Sequence, residues 1–164
     1  MIIKRRMIAV AALLSAAATS AKAHDPQASA FAASAVVAPA ARPAAAIVDA
    51  FHAALRSGDL EAAAALLTDD VLIYEGGSAE RSKAEYRAEH LPADAQFSKA
   101  TVSTVTRRSG RVIGPAAWIT SEGQTSGEFR GRKVNSRSTE TMVLVRLGGK
   151  WKISHIHWSS AAVR

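Results

Sequence analysis

The C-terminal half of the chain constrains its fold most strongly, because β-branched and polar residues alternate there over long stretches. Alternation with a period of two residues is typical of strands. Ser109–Gly110 and Gly148–Gly149 predict turns, whereas Gly114–Pro115 predicts a bulge or a break. We therefore expect an antiparallel meander of four strands, at residues 97–108, 111–124, 135–147 and 150–160.

Two helices are predicted ahead of these strands. Ile47, Phe51 and Leu55 recur every four residues and give the first helix one apolar face. Gly58 can end that helix in the left-handed conformation, and Asp59 can then cap the second helix.

A third helix is predicted after a short buried strand at residues 71–74. Ser82, with Glu85 three residues later, forms a capping box, and Pro92 stops this helix. The predicted order is thus two helices, a strand, a helix and the meander, which is an α+β arrangement.

The N-terminus has the composition of a secretory signal peptide, predicted at residues 1–23. Positive side chains precede an apolar run at residues 7–18, and Ala21–Ala23 forms a small-residue cleavage pattern. The apolar run is short for a membrane span, although an uncleaved anchor is the alternative. Residues 24–43 predict a disordered Ala/Pro linker, and residues 44–160 predict the folded domain. We expect a periplasmic or secreted protein.

Loss of the signal peptide changes the charge of the protein. Of 21 basic and 14 acidic residues, the signal holds four basic and no acidic ones, so the net charge falls from +7 to +3. With this charge and export, nucleic acid is not expected as a partner. No stable membrane insertion is expected after cleavage. The chain has no cysteine, and no cofactor is expected.

Three segments carry a resemblance to a known superfamily: Ser57–Leu60, Leu67–Val71 and Gly149–Ser159. They resemble the linked first helices, the entry to the first strand and the final strand of nuclear transport factor 2-like proteins. The last segment is similar to the end of the calcium/calmodulin-dependent kinase II association domain, and to small bacterial SnoaL-like and ketosteroid-isomerase-like proteins. The resemblance implies a cone-shaped, cystatin-like fold. In it, a curved antiparallel sheet packs on three N-terminal helices around a pocket.

The sequence departs from this superfamily at positions that bear on activity. A ketosteroid isomerase needs a carboxylate base facing a tyrosine and a protonated acid. Here Tyr74 and Glu75 are adjacent, so they point to opposite faces of a strand. The kinase association domain has pocket arginines, and Met142 stands at one of those positions. Fold alone therefore implies no particular activity.

The final strand contains the first candidate site. His155 and His157 are expected on one face, together with Trp151 and Ile153. Two imidazoles placed in this way can contact a ligand or transfer protons. In the alternative, one histidine lies in the core and the other at a dimer interface. No metal site is expected, because a third ligand is not placed.

Further candidates lie on the third helix and the middle strands. His90 faces the pocket or simply ends the helix. Trp118 and Glu122 share one face of a middle strand, and Glu140 and Met142 share a face of the next.

A buried glutamate with a raised pKa, within reach of a histidine, would make an acid–base pair. Alternatively, the strand glutamates pair with arginines across the sheet. His52 is expected on the flank of the first helix. The catalytic candidates are His90, His157 and Glu140. The ligand-binding candidates are Tyr74, His90, Trp118, Glu122, Met142, His155 and His157.

These features support three functions. The first is an exported domain that binds a small, partly apolar organic molecule in a His/Glu-lined cavity. The second is an isomerase or cyclase that transfers a proton next to a carbonyl. The third is a non-catalytic module that forms a homodimer through its sheet. A filled cone would favour the third function, whereas a hollow cone with a paired carboxylate or imidazole would favour the second.

Overall fold

The structure, a computed structural model, describes residues 37–163. The predicted signal peptide and most of the predicted linker lie outside the described residues. A 3-10 turn, Pro39–Ala41, leads directly into the first helix, and Ala41 is fully buried. The folded domain therefore begins earlier than the predicted boundary at residue 44.

The described part of the chain has four α-helices: α1 (Arg42–Ser57), α2 (Leu60–Ala65), α3 (Lys83–Glu89) and α4 (Leu91–Ala100). Helix α1 buries the predicted stripe residues Phe51 and Leu55, and Gly58 ends it with a φ of 77°. Asp59 caps α2 by accepting a backbone hydrogen bond at 2.9 Å, as predicted. None of the helices within residues 37–163 is long and apolar enough to cross a membrane.

The predicted third helix corresponds to α3, and a further helix that was not predicted, α4, follows it directly. Ser82 caps α3 as expected, because its Oγ accepts the Glu85 N–H at 3.1 Å. Pro92 lies in the first turn of α4, where its missing N–H is not needed. The prediction that residues 97–100 belong to a strand is wrong, since α4 continues through them.

The strands form one six-stranded sheet in the order β2-β1-β6-β5-β4-β3. They are β1 (Leu67–Glu75), β2 (Ser78–Glu80), β3 (Thr101–Ile113), β4 (Ala116–Phe129), β5 (Arg132–Leu147) and β6 (Lys150–Ala162). Neighbouring strands are antiparallel except β1 and β6, which are parallel. The predicted α+β class, with a curved sheet on N-terminal helices, is confirmed. The added details are the parallel pair, the fourth helix and the short strand β2.

The turn predicted at Ser109–Gly110 is wrong, because β3 runs straight through both residues. The chain turns instead at Gly114–Pro115, between β3 and β4. Gly110 is needed for close packing: a Cβ there would lie 2.5 Å from Cδ1 of Ile119. A glycine in a strand marks close approach as readily as it marks a turn.

The helices cover one face of the sheet, called here the inner face, and the opposite face is the outer face. A bulge in β6 between Ile153 and His155 interrupts the alternation. Ile153 and Ile156 consequently both lie in the core, whereas His155 points to the outer face. The prediction that Ile153 and Trp151 share a face with the two histidines is wrong for this reason.

Candidate functional site

A cavity of about 510 Å³ lies between the inner face and the helices α1 and α4. Alternation along β1, β5 and β6 brings Glu75, Glu140 and Trp158 to the same side of the sheet. Helix α1 contributes His52 and helix α4 contributes Asp94. The lining of this cavity thus includes titratable groups.

Glu140 is the centre of a hydrogen-bonded cluster that we call the Glu140 cluster: His52, Ser121, Glu140 and Trp158. The carboxylate is 9% exposed and accepts the Trp158 indole N–H at 2.9 Å. Nε2 of His52 lies 2.7 Å from the same oxygen, Oε2. Ser121, directly opposite Glu140 in the register of β4 and β5, donates to Oε1 at 3.2 Å. Both carboxylate oxygens are therefore satisfied inside the protein.

The protonation state of Glu140 differs from the expectation for a buried carboxyl group. Burial raises its pKa, but the hydrogen bond and charge of His52, with the Trp158 and Ser121 hydrogen bonds, outweigh that effect. The pKa of Glu140 consequently lies below its ordinary value, so the group is an anion at neutral pH. An anionic Glu140 can orient His52 and stabilise a protonated imidazole. The acid–base pair considered in the sequence analysis instead required a glutamate with a raised pKa.

Two further residues extend the Glu140 cluster toward the surface. Arg108 donates from Nε to the Ser121 hydroxyl at 3.1 Å. A second guanidinium nitrogen of Arg108 lies 2.5 Å from Oδ1 of Asp49 on α1. This connection ties β3 to α1 and fixes the direction of the Ser121 hydroxyl.

A second group of titratable residues lies where β1 ends and α4 begins. Glu75 and Asp94 line the cavity there, and we call this pair the acidic end. The Tyr86 hydroxyl donates to Oδ2 of Asp94 at 2.7 Å. The buried carboxylate of Glu80 makes an ion-pair contact with Nδ1 of His90. Three carboxyl groups thus meet near one partly exposed imidazole.

Burial and neighbouring charges shift the pKa values of these carboxyl groups. Burial, followed by the negative charges of Asp94 and Glu80, raises the pKa of Glu75 to about 7, and His90 only partly opposes this. Burial also raises the pKa of Asp94, although the Tyr86 hydrogen bond works in the other direction. The pKa of Tyr86 is raised well above its ordinary value, chiefly by burial, so it remains a neutral donor. Glu75 can therefore exchange a proton near neutral pH.

Several residues predicted to bind a ligand lie on the outer face, away from the cavity. The Tyr74 ring contacts His155 and His157 edge-on, with centroids 5.5 and 6.3 Å apart. His155 also places Nδ1 2.8 Å from the carbonyl oxygen of Leu72. Trp118 stands between two buried core residues of β4 and so points outward. The prediction that Tyr74, Trp118 and His155 line the pocket is wrong, because strand alternation places them behind it.

The remaining predicted residues are spread over the core and the rim. Met142 is fully buried against the helices, so it belongs to the core and not to the cavity wall. Glu122 and His157 contribute atoms to the edge of the cavity, although their strand positions belong to the outer face. His90 lies against Glu80, behind the acidic end. Glu140 alone, among the predicted strand residues, occupies a central position.

Sequence reasoning missed the role of four cavity residues: His52, Glu75, Asp94 and Trp158. His52 follows the buried Phe51, and that neighbour made it look like a flank residue. Glu75 is exposed, but it shares the strand face of the buried Val71 and Ile73, which was a usable signal. Asp94 could not be found, because the helix containing it was not predicted.

Among the described residues, no group of three or more histidine, cysteine, aspartate or glutamate side chains is placed to hold a metal ion. His52 and Glu140 are instead hydrogen-bonded to each other, and His90 and Glu80 form an ion pair. Glu75 and Asp94 make up the acidic end.

The architecture agrees with comparisons to known proteins. The model of the SnoaL-like domain family matches residues 44–163. The chain belongs to the SnoaL-like family. The match to this family model confirms the family predicted from the sequence, and solved proteins of similar fold are described as nuclear transport factor 2-like. Among curated proteins, none matches the chain.

Three solved structures illustrate the range of this SnoaL-like protein's relatives. A protein of Shewanella frigidimarina, provisionally named a ketosteroid isomerase, is 38% identical, with a TM-score of 0.67 over 69% of this chain and 91% of its own. A provisional calcium/calmodulin-dependent protein kinase II association domain from Xanthomonas campestris is 21% identical, with a TM-score of 0.64 over 77% of this chain and 93% of its own. A Caulobacter vibrioides protein with a cystatin-like fold is 17% identical, with a TM-score of 0.64 over 73% and 88%. The last two support the fold alone.

Proposed function

We propose that this SnoaL-like domain binds a small, partly apolar organic molecule in its cavity and transfers a proton at a carbon next to a carbonyl group. The observation that carries the proposal is Glu75, a carboxyl group in the cavity lining whose pKa is raised to about 7. A general base works best when its pKa lies near the working pH. The similarity to a protein provisionally named a ketosteroid isomerase supports the same chemistry.

Glu75 and His52 have complementary roles in the proposed reaction. The Glu75 carboxylate removes a proton from the carbon, and the electron pair of that C–H bond forms a C=C bond as the carbonyl oxygen becomes an enolate. His52, held at Nε2 by Glu140, donates a hydrogen bond to that oxygen from Nδ1 when its ring is protonated. Glu75 then returns the same proton to another carbon of the enolate, so no other reactant is consumed.

The cavity lining also supports binding of the apolar part of such a molecule. Leu55, Phe97 and Val105 contribute apolar surface, whereas Ser98, Ser136 and Ser138 contribute hydroxyl groups. A module that served only to dimerise would need no cavity of this size. Binding without turnover is the remaining alternative, and it requires the cavity but not Glu75.

The experiment is isomerisation of a panel of β,γ-unsaturated cyclic ketones, followed by the absorbance of the conjugated product. Glu75→Gln is expected to lower the rate by about 10²- to 10⁴-fold, because a glutamine cannot take the proton. Glu128→Gln, on the β4–β5 hairpin and outside the cavity lining, is the matched control. Equal rates for both variants would contradict the proposed base. If the unaltered protein binds a ketone but does not isomerise it, only the binding function remains supported.

The proposal includes export to the periplasm, which is supported by the charge and apolar pattern of residues 1–23. Cleavage after Ala23 gives a mature protein that begins at His24. N-terminal sequencing of the protein recovered from a periplasmic fraction tests this, and an intact Met1 in that fraction would contradict cleavage.

A homodimer formed through the sheet is also part of the proposal. The outer face of β1 and β6 carries Tyr74, which is 42% exposed, and the adjacent rings of His155 and His157. Large apolar and aromatic side chains on a sheet face favour association with a second copy. Some solved relatives are described as association or hub domains, so assembly is compatible with this fold.

A further inference from the structure

The charges in the cavity lining are strongly one-sided. Glu75, Asp94, Glu122 and Glu140 all contribute to the wall, whereas the lining residues that the structure describes include no lysine and no arginine. Clefts lined by charges of one sign select among ligands by their charge.

Two of these four carboxyl groups have a basic partner. Glu140 is paired with His52 at 2.7 Å, and Glu122 lies 3.7 Å from Nε of Arg107. These two groups therefore add little net charge to the cavity when their partners are protonated.

The acidic end is different, because none of the ion pairs formed by described residues includes Glu75 or Asp94. Asp94 accepts a hydrogen bond from the neutral Tyr86 hydroxyl, which brings no charge. His90 is the basic group that acts on both, and it lies against a further carboxylate. Above about pH 7, where Glu75 is ionised, the acidic end thus presents negative charge to any ligand that enters.

An anionic ligand would meet this charge in a partly enclosed site, where electrostatic interactions are stronger than in bulk water. An uncharged ligand avoids that repulsion, and a cationic ligand gains attraction. Phe97 follows Asp94 by three residues on α4, so its ring lines the same part of the cavity. An aromatic ring beside a carboxylate suits apolar and cationic groups alike.

We infer that the cavity accepts uncharged or cationic organic molecules and rejects anions, so that carboxylates, phosphate esters and acyl-coenzyme thioesters are not substrates. This inference rests on the proposed function and narrows its substrate class. It assigns Asp94 as a residue that determines specificity, while Glu75 carries out the proton transfer.

The experiment uses three probes of similar shape and different charge: 2-phenylethanol, 2-phenylethylamine and 3-phenylpropanoate. Their dissociation constants are measured on the full chain at pH 8 by ligand-observed NMR. The alcohol and the amine are expected to bind at least about tenfold more tightly than the carboxylate. A carboxylate probe that binds as tightly as the alcohol would overturn the inference while leaving the binding function intact.

Variants locate the origin of the selectivity. Asp94→Asn is expected to reduce the difference in affinity between the alcohol and the carboxylate severalfold. Glu75→Gln is expected to reduce it in the same way, and it keeps the test valid if loss of the Tyr86 contact impairs folding of Asp94→Asn. Asp70→Asn, an exposed change of the same charge on β1 and outside the lining, is the control. A difference in affinity reduced equally by all three variants would overturn the assignment to the acidic end. Absence of binding by all three probes would instead contradict the proposed function, and the inference with it.

Discussion

At the scale of single residues, two carboxyl groups of the cavity, Glu140 and Glu75, differ because their neighbours differ. Glu140 faces three donors and stays ionised, whereas Glu75 faces other carboxyl groups and holds its proton to about pH 7. Burial acts in the same direction on both, so the neighbours decide the outcome. The sequence contains both residues but does not show which side chains surround them. Their roles therefore could not be separated before the structure.

Glu140→Gln is expected to lower the free energy of unfolding at pH 7 by about 3 kcal/mol, because three donors lose a buried charged acceptor. Chemical denaturation measures this, with Glu128→Gln as the exposed control. Since the folded pKa of Glu140 lies below its ordinary 4.5, its stabilisation is present above pH 4.5 and is lost as the pH falls through the folded value. The difference between the two proteins should therefore shrink in acid, and a difference that grows there would contradict this account.

At the scale of elements, predictions succeeded where local chemistry decides the structure and failed where packing decides it. The caps at Gly58, Asp59 and Ser82 were predicted correctly, since each depends on a few adjacent residues. Gly110 was taken for a turn because a glycine needed for contact with another strand has no local signature. The bulge in β6 was missed for the same reason, and with it the separation of the core from the outer-face histidines.

Gly110→Ala is expected to destabilise the protein by about 1–3 kcal/mol, because the added methyl group overlaps Cδ1 of Ile119. Ile119→Val removes that carbon atom, so the double variant should lose less stability than the sum of the two single variants. Thermal or chemical unfolding of the four proteins gives the coupling. If the stability losses of the two single variants add up to that of the double variant, close packing against Ile119 is not the reason for a glycine at position 110.

At the scale of the whole molecule, the family and the order of most elements followed from the sequence, because long alternating segments and helix caps can be recognised in one sequence. Strand β2 and helix α4 were not predicted. The cavity did not follow, since it depends on which strand face meets the helices. Tyr74 and His155 have side chains that are common in binding sites, and only the strand register shows that they lie on the outer face, away from the cavity. That face consequently becomes the proposed surface for dimerisation.

If the outer face forms the dimer, Tyr74→Lys should convert the protein to a monomer, because a charged side chain would be buried in the interface. Light scattering coupled to size exclusion measures the mass. Gln96→Lys, an exposed change on α4, is the matched control and should leave the mass unchanged. A monomeric unaltered protein, or a Tyr74→Lys variant that remains dimeric, would contradict an interface at this position.

The central claim is that Glu75 acts as a base near neutral pH inside the cavity. Titration of the glutamate side-chain carboxyl carbons by ¹³C NMR, with Glu75→Gln to assign the signal, tests it most directly. We expect this signal to titrate with a midpoint of about 7. A midpoint at the ordinary glutamate value of 4.5 would contradict the claim.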